Sequence, residues 1–322
     1  MSNLDVRPAA TVTGGREDVS AAPVHELLTA RTVPLGEATV VRRLLPNLGR
    51  RMVGAWCFVD HYGPDDIADE PGMRVPPHPH MGLQTVSWLH DGEVLHRDSL
   101  GSEQTVRPRE LGLMTSGRAI AHSEQSPRDH ARFLHGAQLW VALPDAHRHR
   151  DPAFEHHAAL PEVTGGNGLR ATVILGELDG ARSPGTVYSP LVGADLTLAA
   201  GTSARLPLQR DFEYAVLTMS GAAEADGVRL PPDSMLYLGC GRDTLPLTAD
   251  VDSSLLLLGG EPFEERIVMW WNFIGRSSDE IVQAREDWST GPRFGTVQGF
   301  DGPRLPAPTL PPTPLKPRGR TR

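Results

Sequence analysis

Short apolar runs, punctuated by Gly, Pro and Asp, fill most of the chain. The first half carries "GAWCFVDHYGP", "LQTVSWLHDGEVLHRDSLG", "ELGLMTSG" and "AQLWVALP"; the second carries "ATVILGEL", "ADLTLAAG", "EYAVLTMSG", "SMLYLG", "SSLLLLGG" and "ERIVMWWNFIG". Strands this short and this closely spaced predict an all-β fold of sandwiches or barrels. The two halves hold comparable sets, which points to a duplicated β architecture. Helical periodicity is scarce. Its clearest instance is "SSDEIVQAREDW", where Ser277 and Glu280 have capping-box spacing and Ile281, Ala284 and Trp288 recur on one face.

The punctuation also divides the chain. Residues 1–23 are polar and residues 302–322 are laden with proline, so both ends read as mobile tails. The stretch "PDAHRHRDPAFEHHAALPEVTGGNG" reads as a linker, which sets domains at 24–150 and 168–301 around a connection at 151–167. Trp88, Met114 and Trp140 lie in apolar runs and read as core. The neighbours Trp270 and Trp271 are expected to send one ring inward and leave the other at an edge or seam.

At 322 residues the chain exceeds what one core comfortably serves, which agrees with two domains. A formal charge of −9 argues against binding a phosphate backbone, so direct nucleic-acid contact is not expected. The first residues hold no apolar leader and no run reaches the ~18 apolar residues of a membrane span, so the expected location is cytoplasmic. Cys57 and Cys240 form no close pair and read as buried free thiols of a reducing compartment. G-x-S-x-G, P-loop and G-x-G-x-x-G motifs are absent, which leaves hydrolase, NTPase and dinucleotide readings without support.

Histidine usage changes the picture. All 13 histidines fall at or before His157, so imidazole chemistry is confined to the first half. In "RVPPHPHMG", proline after His78 keeps that residue extended, and period-2 alternation then turns His78 and His80 to one face. The stretch "SGRAIAHSEQSP" repeats the device with His122 and Glu124. Two strands facing across a sandwich would offer three neutral imidazoles and a carboxylate. That set suits a borderline first-row ion such as iron, manganese, nickel or zinc. Four protein ligands on an octahedral ion leave two positions open, as a reactive centre requires.

These residues resemble a known family. "GMRVPPHPH" has the G-x5-H-x-H opening of the first cupin motif, and "HPHMGLQTVSWLHDGEVLHRDSLG", "LMTSGRAIAHSE" and "AQLWVALP" are similar to the N-terminal half of pirins; "IVMWWNFIGRSSDEIVQAREDW" resembles the C-terminal region of a bacterial branch. The likeness implies a bicupin: two jelly-roll β-barrels face to face, with Fe(2+) only in the N-terminal one, held by His78, His80, His122 and Glu124. The chain departs from the pattern in two places. Gln84 stands where a generic cupin has a glutamate after H-x-H, and Pro108-Arg109-Glu110 replaces a Pro-Gly-Asp turn, which puts that turn's geometry in question.

Two roles follow from the resemblance. One is an oxygenase of the quercetin 2,3-dioxygenase type acting on a small aromatic substrate such as a flavonol, with Glu124 as both ligand and catalytic base. The other is an iron- and redox-dependent regulator that binds a partner protein. The remaining histidines read more simply: His147, His149, His156 and His157 as a solvated tract, and His61, His90 and His96 as strand histidines or as support for a ligand.

Overall fold

The computed structural model describes residues 11–13, 23–35 and 39–316. Each half is a sandwich of two antiparallel sheets. In the first, a seven-stranded sheet runs in the order Ala153–His157, Leu111–Thr115, Leu83–Asp91, Phe133–Ala142, Trp56–Asp66, Thr39–Leu45, Arg31–Leu35. It packs on a four-stranded sheet ordered Arg74–His80, Ile120–Gln125, Val94–Asp98, Glu103–Val106, with Tyr62, Leu89 and Leu134 meeting Val75, Val94 and Val106 between them. The second half repeats the plan with Leu169–Leu178, Leu191–Leu198, Ser253–Gly260, Glu213–Ser220 and Ser234–Gly239 in its larger sheet.

The two large sheets stand back to back, and this explains why their strands lack clean alternation. Leu111–Thr115 is buried at every position, whereas Thr202–Pro207 on an outer sheet alternates buried and exposed. In "SSLLLLGG", Leu255 and Leu257 fill the interior of the second barrel, and Leu256 and Leu258 join a core shared with Trp56, Leu83, Val86, Trp88 and Leu113 of the first. The Trp56 Nε1–H is shared between the carbonyls of Val192 and Gly259, both at 3.1 Å. The second barrel's interior is packed with aliphatic and aromatic side chains.

The segment read as a linker is built instead of two edge strands, one for each barrel. Ala153–His157 pairs with Leu111–Thr115, and Glu162–Gly166 pairs with Leu169–Leu178. The ends of the chain trade places: Glu26–Thr29 lies in the second barrel's sheet beside Ser234–Gly239, although the sequence assigns it to the first domain. Conversely, Ile267–Trp270 pairs with Thr11–Thr13, and Phe273–Gly275 reaches back to the first barrel, where the Ile274 N–H donates to Met81 O at 2.8 Å. Gly82 makes that crossing possible. It has φ +77°, and a Cβ there would lie 2.2 Å from Ile274 O.

The helix spans Ser278–Thr290 with Ser277 as its cap and Ile281, Ala284 and Trp288 buried, as its periodicity predicts. The prolines beyond it are docked. Leu305 N–H donates to Pro77 O at 2.8 Å, the Trp288 Nε1–H donates to Leu305 O at 2.8 Å, and Leu315 is buried. An extended proline segment has unspent carbonyls and apolar rings, and a neighbouring tryptophan supplies partners for both. Other than Thr11–Thr13, the N-terminal stretch expected to be a tail lies outside the described residues up to Ala22. Trp270 and Trp271 are both buried, so neither ring is left at an edge. The turn at Pro108-Arg109-Glu110 keeps a glycine-like geometry, because Arg109 itself adopts φ +65°.

Candidate metal centre

Inside the first barrel the two ligand strands are neighbours in one sheet and do not face each other across the sandwich as expected: Arg74–His80 runs antiparallel to Ile120–Gln125, which sets His122 opposite His78 and Ile120 opposite His80. A β-bulge follows: two residues from His122 to Glu124 are matched by three from His78 to Val75. One ligating atom from each of His78, His80 and His122 can be chosen so that all lie within 4.8 Å of one another, and among the described residues this is the group that could hold an ion. The ring centroids are 4.3 to 5.1 Å apart. The Trp140 ring stands edge-on to His80 at 5.2 Å. Glu124 is buried on the same strand as His122, but its carboxylate oxygens do not join the three rings within that distance.

The hydrogen bonds around the rings decide which nitrogens are free. Pro76 O accepts from the Nδ1–H of His78 at 2.7 Å, so the lone pair of His78 is on Nε2. Asp98 accepts from His96 Nε2–H at 3.1 Å; with one proton per ring, His96 Nδ1 accepts in turn from His122 Nδ1–H at 3.3 Å, and the lone pair of His122 is again on Nε2. Asp98 is itself fixed by the backbone N–H groups of Leu100 and Ser102, and the His96 ring stacks on Phe154 at 4.0 Å. His78 Nε2 and His122 Nε2 are buried with no hydrogen-bond partner among the described residues, and the buried His80 ring lies against the backbone of Asn272.

Leaving such atoms unpaired costs about 1–3 kcal/mol each, which a structural role would not repay. Burial pushes His78 down to about 4 and holds His80 and His122 well below the ordinary imidazole range. All three are therefore neutral at pH 7, the form that ligates a metal.

The other histidines sort themselves by partner. His96 supports His122, as just described. His90 Nε2 lies 2.8 Å from Asp195 across the seam, and His61 and His135 share an Nε2–Nε2 contact of 3.0 Å. His156 pairs with Glu110, His157 with Glu155, and His149 is exposed. Gln84 points away from the three rings, donating to Thr115 Oγ1 and to Thr186 O of the second half. Asp98, Ser87 and Gln138 were not expected at the site. The "HRD" of His96 to Asp98 repeats the period-2 doublet of "HPH", and that signal could have found the aspartate.

Two back-to-back β-sandwiches with an imidazole cluster inside the first define a bicupin. The chain belongs to the pirin family: the pirin model matches residues 38–141, and that of the pirin C-terminal cupin domain matches residues 193–295. A Pseudomonas aeruginosa protein that carries a provisional quercetin 2,3-dioxygenase name is 46% identical over 285 residues, covering 88% of this chain and 90% of the relative. A pirin-like protein of Caulobacter vibrioides is 42% identical over 271 residues, covering 81% and 92%. The crystal structure of a quercetin 2,3-dioxygenase from Acinetobacter baumannii superposes with a TM-score of 0.87 at 42% identity, covering 91% of this chain and 98% of that one.

Proposed function

We propose that His78, His80, His122 and Glu124 bind one first-row divalent ion, iron(II) foremost, and that the protein is an oxygenase of the quercetin 2,3-dioxygenase type acting on a small hydroxylated aromatic compound. The observation that carries this reading is the convergence of three neutral, buried imidazoles, with Nε2 of His78 and of His122 unpartnered among the described residues. The names of the relatives from Pseudomonas and Acinetobacter agree with it. Manganese, nickel and zinc also suit this donor set.

When bound, the ion supplies a Lewis acid and, as iron, the one-electron chemistry that reaction with dioxygen requires. The chain supplies the rest. Pro76 O and the Asp98–His96 pair hold two of the rings in the tautomer that offers Nε2. Glu124 stands one strand repeat from His122 on the same face and would take the proton of the substrate's acidic hydroxyl. Trp140, stacked on Phe58 at 4.0 Å, and the neighbouring apolar residues keep water from the rings.

The test is anaerobic reconstitution with iron(II), addition of quercetin, and exposure to air, following flavonol absorbance and carbon monoxide. Turnover above that of free iron is expected, and it should vanish in Glu124→Ala and persist in His149→Ala. Wild-type turnover no faster than free iron would remove the oxygenase reading. A stoichiometry below one ion per chain, unchanged by His80→Ala, would remove the metal centre.

A further inference from the structure

One row of the seven-stranded sheet carries polar side chains into the first barrel between rows that carry Phe58 with Trp140 and Tyr62 with Leu89. Arg43, Asp60, Gln138 and Ser87 are register partners in four consecutive strands. All four are buried, Asp60 and Gln138 to 1% exposure or less. Arg43 grips Asp60 with two hydrogen bonds of 2.8 and 2.7 Å. At the other end of the row, Ser87 Oγ lies 3.0 Å from Gln138 Oε1 and 3.3 Å from Glu124 Oε1.

A serine hydroxyl has one proton and here meets two acceptors. An ionised carboxylate is the stronger of the two, so Ser87 donates to Glu124. The Gln138 amide, whose oxygen and nitrogen are interchangeable by rotation, then turns its NH2 toward Ser87. The polarity of the row thus ends on one oxygen of the proposed base.

We propose that Ser87 is a positioning residue for Glu124 and that Gln138 orients the Ser87 hydroxyl. The hydrogen bond holds Oε1 and so fixes the orientation of the carboxylate that would face the ion and the substrate hydroxyl. This rests on the reading of Glu124 as a ligand. The sheet is the right support for such a device, because its strands are pinned on one side by the second barrel's core. Gly112, the register partner of Ser87 in the next strand, has no side chain beside the hydroxyl.

The experiment loads cobalt(II) into wild type, Ser87→Ala, Ser87→Thr, Gln138→Leu and Glu124→Ala, then measures affinity by chelator competition and records the visible d–d spectrum. Ser87→Ala and Gln138→Leu should each weaken binding about tenfold and move the d–d bands, the effect typical of supporting groups. The double variant should lose no more than the larger single loss, since the two side chains act as one unit. Ser87→Thr retains the hydroxyl and should restore both readouts. Iron-loaded Ser87→Ala should lose kcat with KM unchanged.

Wild-type affinity and spectrum in Ser87→Ala, alongside a defect in Glu124→Ala, would overturn the positioning role alone. No defect in Glu124→Ala would overturn the ligand assignment beneath it. Should Ser87→Ala not fold, Ser87→Cys with its weak donor decides: a spectrum identical to wild type refutes the role, and a shifted one supports it.

Discussion

Acid should destabilise the metal-free protein, and His135 should account for a measurable part of the loss. Its ring is 4% exposed, lies 3.0 Å from His61 through Nε2, and stands edge-on to His90 at 5.0 Å. Burial, then the nearby positive charges of His90 and Arg42, bring its pKa down from 6.5 to about 4. The folded value is the lower one, so between pH 6.5 and 4 the unfolded chain takes up a proton that the folded chain refuses. Stability therefore falls with pH in that window. At pH 5 the deficit from this ring alone is about 2 kcal/mol relative to pH 7.5.

The perturbation is His135→Gln, which keeps a polar partner for His61 and removes the titration. Urea unfolding of the metal-free protein at pH 7.5 and 5.0, at fixed ionic strength, gives the two free energies for each chain. Wild type should lose about 2 kcal/mol more than the variant on going to pH 5.0. Equal losses would show that His135 titrates normally in the fold, and the account of a buried ring beside like charges would fail with it.

Other outcomes follow from the same coordinates. Asp98→Asn offers His96 an amide N–H in place of an acceptor or rotates its backbone contacts away; either way His96 and His122 are driven toward the wrong tautomers. Metal affinity by chelator competition should fall roughly 10–100-fold while the thermal midpoint holds. Arg109 has φ +65°, a conformation that glycine adopts freely, and Arg109→Gly should raise unfolding free energy by about 1 kcal/mol in urea titrations. Removing residues 302–322 uncovers Trp288 and frees Pro77 O, so the truncated chain should melt lower and bind the metal more weakly than the full one.

The parts of this molecule written in local pattern were readable before any coordinates. Proline-stiffened His78 and His80, His122 in its extended stretch, and the capped helix from Ser278 depend on residues a few positions apart. Ser87 and Gln138 are 51 residues apart and meet only through strand register, which no local period encodes. The edge strands at 153–157 and 162–166 were hidden by charge and glycine, because an edge strand tolerates polar residues that a central strand does not. The proline-rich end resembled a disordered tail in composition, yet Trp288 and Pro77 give it a surface to follow.

The exchange of terminal strands bears on how the polypeptide matures on the ribosome. The strands that bear His78, His80 and His122 emerge early, but the Phe273–Gly275 segment that closes against Met81 and Gly82 is made some 150 residues after His122. Until then the nascent first barrel lacks the segment that packs on Met81 and Gly82 beside His80, so tight capture of an ion should await near-completion of synthesis. Expressing residues 39–141 alone should yield a protein that aggregates rather than a small metalloprotein.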